Sequence, residues 1–151
     1  MIDVHMITHN EPQWQLDRCL DSFKAEPIHL HIVQGFDEWP PNRGRVLGFS
    51  KGTAPYVSYV DPDDYIEQGA FTKLLIAIES GDYDAAYGWE RVFGRNRKDT
   101  IFKLPHHAFV LRRGLNINYS SERRLFVKNE ISRTRIKNLP VVLYHRDVGD
   151  R

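Results

Sequence analysis

The sequence predicts an α/β domain in which a mostly parallel central sheet is flanked by helices. Three observations predict it. Short β-prone segments alternate with segments of 3.6-residue apolar period, the alternation starts at the N-terminus, and polar loops follow the strands at their carboxyl ends. In such sheets the binding crevice lies beyond those ends. With 151 residues, 41% of them apolar and 12% aromatic, the chain has the length of one domain, 1–151. Folding at this size hides roughly 70% of the surface that the unfolded chain exposes.

The first strand, with Ile2, Val4, Met6 and Ile7 apolar, ends in Thr8-His9-Asn10-Glu11, and Pro12 stands where a helix begins. Leu16, Cys19, Leu20 and Phe23 then repeat at i, i+3, i+4, i+7, one stripe facing a sheet. Cys19, the single cysteine, lies on that stripe and reads as a buried structural thiol in a reducing compartment. The second strand, Ile28 to Val33, alternates apolar residues with His29 and His31. It leads into a Pro- and Gly-rich loop, 34–44, carrying Asp37, Glu38 and Trp39.

Arg45 to Lys51 is expected to be helical, and Tyr56 to Val60 is a strand that delivers Asp61-Pro62-Asp63-Asp64 at its carboxyl end. Phe71, Leu74, Leu75 and Ile78 form a second helical stripe, stopped by Gly81 and followed by a strand from Ala85 to Trp89. Further on, Gly94 to Thr100 reads as an exposed loop and Ala108 to Leu111 as a strand. Glu122 to Arg135 reads as a basic helix and Val141 to Tyr144 as the last strand.

The balance of 21 basic and 20 acidic residues gives a formal charge of +1, so no global field drives the chain onto nucleic acid or membrane. Basic residues nevertheless dominate from Arg91 onward, which a solvated face and a polyanionic acceptor explain equally well. The N-terminus lacks the basic and apolar regions of a signal peptide, and no stretch approaches the ~18 apolar residues of a membrane span. A cytoplasmic protein without a membrane span is expected.

Asp61, Asp63 and Asp64 place three carboxylates within four residues, whose mutual repulsion calls for a cation or a donor. Hard oxygen ligands suit Mn²⁺ or Mg²⁺, with diphosphate oxygens completing the shell. The plainer alternative is that Asp63 or Asp64 caps a helix beginning near Ile66. Tyr65 and Ile66 exclude a calcium EF-hand loop. A phosphatase usually carries its aspartate after the first strand, where this chain has Thr8-His9-Asn10-Glu11. His106, His107 and His145 are candidate phosphate or metal ligands, and Trp39, Tyr65 and Trp89 candidate stacking rings, against the structural roles such residues more often fill.

Arg45-x-x-Gly48, followed by Tyr56 to Val60 and then Asp61-x-Asp63-Asp64, resembles the family 2 glycosyltransferases. Their pattern there is Arg-Asn-x-Gly, a Gly-Glu-Tyr turn, and a strand into Asp-x-Asp-Asp. This chain has Val46, Ala54 and Pro55 where the family has Asn, Gly and the acid. Leu143-Tyr144-His145-Arg146 is similar to the family's Leu-Tyr-x-Tyr-Arg-x-His segment, so the resemblance spans nearly the whole chain. It implies a GT-A fold, the Rossmann-like fold of nucleotide-diphospho-sugar transferases. It also implies a nucleoside-diphosphate sugar, a UDP-sugar favoured, held by Thr8, His9, Asn10, Glu11, Asp37, Arg45 and Asp61. Asp61 would sit near the sugar, and Asp63, with Asp61 and His145, would bind Mn²⁺ or Mg²⁺. An inverting displacement needs a general base; the implied residue is Glu122, although Arg123 replaces the usual second acid. The alternative is a catalytically degenerate member of the fold that binds a nucleotide or glycan. The acceptor is unread; a polyanion or nucleic acid is compatible with the basic second half.

Overall fold

The computed structural model describes residues 1–40, 42–115 and 135–149. The elements follow in the order β1 (Ile2–Thr8), α1 (Gln13–Ser22), β2 (Ile28–Gln34), α2 (Arg43–Phe49), β3 (Tyr56–Tyr59), β4 (Tyr65–Ile66), α3 (Ala70–Glu79), β5 (Ala85–Gly94), β6 (Arg97–Phe102), β7 (Phe109–Arg112) and β8 (Ile136–Asp147). They form one curled sheet of order β2-β1-β3-β7-β5-β8-β4, with β6 paired to β5. Among the described residues no helix is long and apolar enough to cross a membrane.

The sheet is mixed rather than mostly parallel. β2, β1 and β3 are parallel, as is the β5/β8 pair, but β7, β6 and β4 run antiparallel to their neighbours. A parallel return needs a crossover of a dozen or more residues, usually a helix. The short turn between β5 and β6 permits only an antiparallel hairpin, and the segment after β6 carries the chain on in the same direction, so β7 also runs antiparallel to β5. The expected loop at Gly94 to Thr100 is a hairpin, with Val92 opposite Thr100 and Glu90 opposite Phe102. β6 is exposed along its length, so its backbone ladder leaves no apolar alternation in the sequence. β8 runs well beyond the expected Val141 to Tyr144. The predicted helix from Glu122 to Arg135 lies, apart from Arg135, outside the described residues.

Strand β1 divides the interior into two layers, because successive side chains of a strand point to opposite faces. Ile2, Val4 and Met6 pack with Cys19, Phe23, Phe71, Leu74 and Ile78 into the larger core against α1 and α3. Cys19 is fully buried there, as the helical stripe requires. Asp3 and His5 are buried too, and they face the other way. On that side Phe49, Val57, Tyr59, Phe109 and Leu111 form a second core.

Asp3 ties the amino ends of the strands together. Its Oδ2 accepts from the Ala54 N–H at 2.8 Å and from Arg113, and its Oδ1 pairs with His31 at 2.9 Å. Gly52 makes the close approach feasible: its φ is +74°, and a Cβ there would lie 2.2 Å from Oδ2. Burial alone would raise the pKa of Asp3. The His31 and Ala54 hydrogen bonds and the Arg113 charge outweigh burial and hold it below the ordinary carboxylate value. A depressed folded value stabilises the fold above the unfolded pKa of about 3.9, and that contribution is lost as pH falls through the folded value. Asp3→Asn is therefore expected to cost about 2–4 kcal/mol at pH 7 in urea unfolding. The gap from the parent should narrow below about pH 4; a gap independent of pH would mean that the charge contributes nothing.

Candidate active site

The site lies at the carboxyl ends of β1, β2 and β3. The loops after β1 and β2 are locked together: the Gly35 N–H donates to the Thr8 carbonyl at 2.9 Å, and His9 pairs with Asp37 at 2.6 Å. The Asp37 hydrogen bond raises the pKa of His9. Glu11 turns back to accept the His9 N–H with both carboxylate oxygens, at 2.7 and 2.8 Å. Asn10 bends the loop with a φ of +60°. Beside them opens a cleft of about 220 Å³, lined by Ile7, His9, Phe36, Trp39, Gly44 and Arg45 among others. The Phe36 and Trp39 rings lie 5.2 Å apart, and together they offer apolar surface to a planar ligand.

The Arg45-x-x-Gly48 motif has a physical explanation in α2. Arg45 is buried, its guanidinium stacks 3.4 Å from the centroid of the Tyr59 ring, and it donates to His5 Nε2 at 3.2 Å and to Asp61 Oδ1 at 2.9 Å. Burial, then the neighbouring Arg45 charge, push the pKa of His5 well down, so its ring is neutral and accepts that bond. Gly48 leaves room for the same ring, since a Cβ there would lie 2.1 Å from His5 Cδ2.

Asp61 is gripped from its other side by His107, whose Nε2 lies 3.3 Å from Oδ2. A third of its side chain remains exposed. Burial opposes ionisation, but His107 and Arg45 overcome it and hold Asp61 far below the usual carboxylate range. His107 Nδ1 in turn meets Glu90 at 2.9 Å. Between two carboxylates, and against the effect of burial, His107 is raised to about 9. Glu90, itself buried, is lowered to about 2 by His106 and His107.

The other two acids of the cluster have different surroundings. Asp64 is buried; it accepts from the Tyr144 hydroxyl at 2.7 Å and from the Asp147 N–H at 2.8 Å. Burial, then the charges of Asp61 and Asp63, push it up to about 8. Asp63 forms no ion pair among the described residues. Burial, with Asp61, Asp147 and Glu11 nearby, raises its pKa. A carboxylate in a negative field that makes no ion pair among the described residues fits a hard divalent ion. Arg18 of α1 clamps the turn by donating to the Asp63 carbonyl at 2.6 Å and to Asp147 at 3.0 Å.

Neither Asp63 nor Asp64 caps a helix. Tyr65 and Ile66 pair with β8, and α3 starts after Gly69. His145 does not join the acids: its Nε2 meets Glu67 at 2.6 Å, its Nδ1 accepts from Arg91 at 2.8 Å, and it stacks on Tyr65. Among the described residues, two sets of ligating groups come within reach of one another, Asp61 with Asp64 and His107, and Glu90 with His106 and His107. Trp39 lines the cleft with Arg43 over its ring, and Trp89 carries Lys103 over its ring. Glu122 lies outside the described residues. Sequence reasoning missed Glu90 and Arg18, which stand in no local pattern, and the role of Tyr144, whose segment is recognisable but whose partner Asp64 lies 80 positions away.

No protein-family model matches the sequence, and no curated protein matches it. Solved structures do. TarS of S. aureus, residues 1–349, superposes with a TM-score of 0.70 at 12% identity over 97% of this chain and 60% of that one. The fold is glycosyltransferase-like. The same protein in complex with UDP-GlcNAc matches at a TM-score of 0.70 and 13% identity, over 97% of this chain and 58% of that one. Its UDP complex gives 0.70 and 13%, over 97% and 60%. The chain thus spans about 60% of the TarS 1–349 chain and 36% of the longer TarS chain.

Gly48→Ala is expected to lower stability by about 1–3 kcal/mol, because the His5 ring is fixed between neighbours and cannot yield. Val46→Ala, at an exposed position of the same helix, should stay within about 0.5 kcal/mol of the parent. Equal urea midpoints for the two variants would contradict the packing assigned to Gly48.

Proposed function

We propose that this chain transfers a sugar from a nucleoside-diphosphate sugar, with UDP favoured, to an acceptor hydroxyl. The observation that carries the reading is the junction of cleft and acids. Arg45 both lines the Phe36/Trp39 cleft and bonds Asp61. The fold around it resembles that of a protein solved with UDP and UDP-GlcNAc.

On this reading the base rests against Phe36 and Trp39, Asp37 faces base and ribose, and Thr8 to Glu11 border the nucleotide. Asp61 addresses the ribose and sugar. Asp63, with Asp61, holds Mn²⁺ or Mg²⁺; when bound, the ion supplies positive charge worth several kcal/mol to the departing diphosphate. Transfer breaks the bond between the anomeric carbon and the phosphate oxygen, and the nucleoside diphosphate leaves with the electron pair. The acceptor oxygen bonds the anomeric carbon from the opposite face, and its proton passes to a base, for which Glu122 is the candidate. Arg123 beside Glu122 favours a second reading, a nucleotide- or glycan-binding module that has lost transfer; donor hydrolysis by the chain would argue against it. Arg91 on β5, Lys103 after β6 and Arg146 on β8 are compatible with a polyanionic acceptor.

Calorimetric titration of UDP, GDP, TDP and CDP with and without Mn²⁺ tests the donor assignment. UDP is expected to bind in a Mn²⁺-dependent way, and Asp63→Ala to weaken that binding at least ~10-fold. Unchanged affinity in Asp63→Ala would remove the metal assignment, and binding of no nucleotide would favour a glycan-binding module.

A further inference from the structure

Beside the nucleotide site stands a second group of ligating atoms with a different chemistry. Glu90 of β5 is buried, and both His106 and His107, on the segment leading into β7, turn their Nδ1 atoms toward its carboxylate. Oε2 lies 3.1 Å from His106 Nδ1 and 2.9 Å from His107 Nδ1, and the three ligating atoms all lie within 4.8 Å of one another. The two imidazoles are 3.8 Å apart at 78°. In a tetrahedral site with bonds of 2.0–2.1 Å, neighbouring donor atoms are about 3.3 Å apart. The carboxylate-to-imidazole spacings here need to widen by only a few tenths of an ångström.

We propose that Glu90, His106 and His107 form a binding site for a divalent transition metal of the Zn²⁺ class. Two imidazole nitrogens and one carboxylate oxygen select such an ion over Mg²⁺, which prefers an all-oxygen shell. Three protein ligands leave one position open, as in zinc sites that keep a water or substrate position. The outer shell is in place. His107 binds the ion through Nδ1 and presents Nε2–H to Asp61, the carboxylate–histidine–metal arrangement that fixes a ligand's tautomer and ring orientation. The second oxygen of Glu90 faces Arg146 at 3.7 Å. Binding displaces the proton from each Nδ1. The ion then sets the orientation of His107, and through it that of Asp61. The site's three ligands are distinct from Asp61 and Asp63, where Mn²⁺ or Mg²⁺ is proposed, although His107 touches Asp61, and the site does not depend on sugar transfer.

The test uses the intact chain, freed of metal by chelation, with Zn²⁺ and Co²⁺ as probes. Calorimetry should give one Zn²⁺ per chain in the parent and in Asp63→Ala. His106→Ala, at a partly exposed ring whose loss spares the core, should weaken binding by more than about 100-fold, beyond the 10–100-fold typical of losing an outer-shell partner. Zn²⁺ should raise the melting temperature of the parent and of Asp63→Ala but not of His106→Ala. Co²⁺ should give the intense visible absorption of a four-coordinate ion. Absence of Zn²⁺ binding, or binding that persists in His106→Ala, would overturn the proposal. Loss in Asp63→Ala with retention in His106→Ala would assign the ion to the nucleotide site instead.

Discussion

The rest of the site depends on the grip on Asp61. Arg45 and His107 reach its carboxylate from opposite sides, and each is held in turn, Arg45 by Tyr59 and His5 and His107 by Glu90. A buried charge is tolerable only when its hydrogen-bonding capacity is met, and removing one partner of such a pair costs about 3–5 kcal/mol. This accounts for Gly48 without reference to the ligand. The glycine makes room for the His5 ring, which receives the arginine that fixes the acid. Asp63, two residues on, has no such partner among the described residues, so one strand end carries both a neutralised acid and an acid whose pKa is raised.

The two ends of the parallel strands are built for opposite purposes. At the amino ends Asp3 gathers β2, the turn before β3 and Arg113 into a closed network. At the carboxyl ends His9, Glu11, Asp37 and Arg18 fasten the loops to each other while leaving a cleft between them. Because β1 alternates apolar and polar residues between two buried layers, it supplies the larger core with Val4 and Met6 and the site with His5.

Much of this is legible in the sequence where one residue's neighbours along the chain determine its role. The stripes of α1 and α3, the strand leading into Asp61 and the polar loop after β1 all follow from local periodicity. The direction of the later strands is not, because it depends on connection length and on β6, whose residues are exposed and hold their place by backbone hydrogen bonds. The same holds for side chains that meet across the fold. Tyr144 and Asp64 are 80 positions apart, and Glu90 and His107 are 17 apart, so no spacing rule announces either pair. His145, adjacent to Tyr144, points instead to Glu67 and Arg91.

The most direct test of the account is a crystal structure grown with UDP and Mn²⁺. Uracil is expected against Phe36 and Trp39, with Asp61 still joined to Arg45 and His107 and the ion at Asp63. A nucleotide bound elsewhere, or an Asp61 that has released both partners to receive it, would contradict the central role given to that grip.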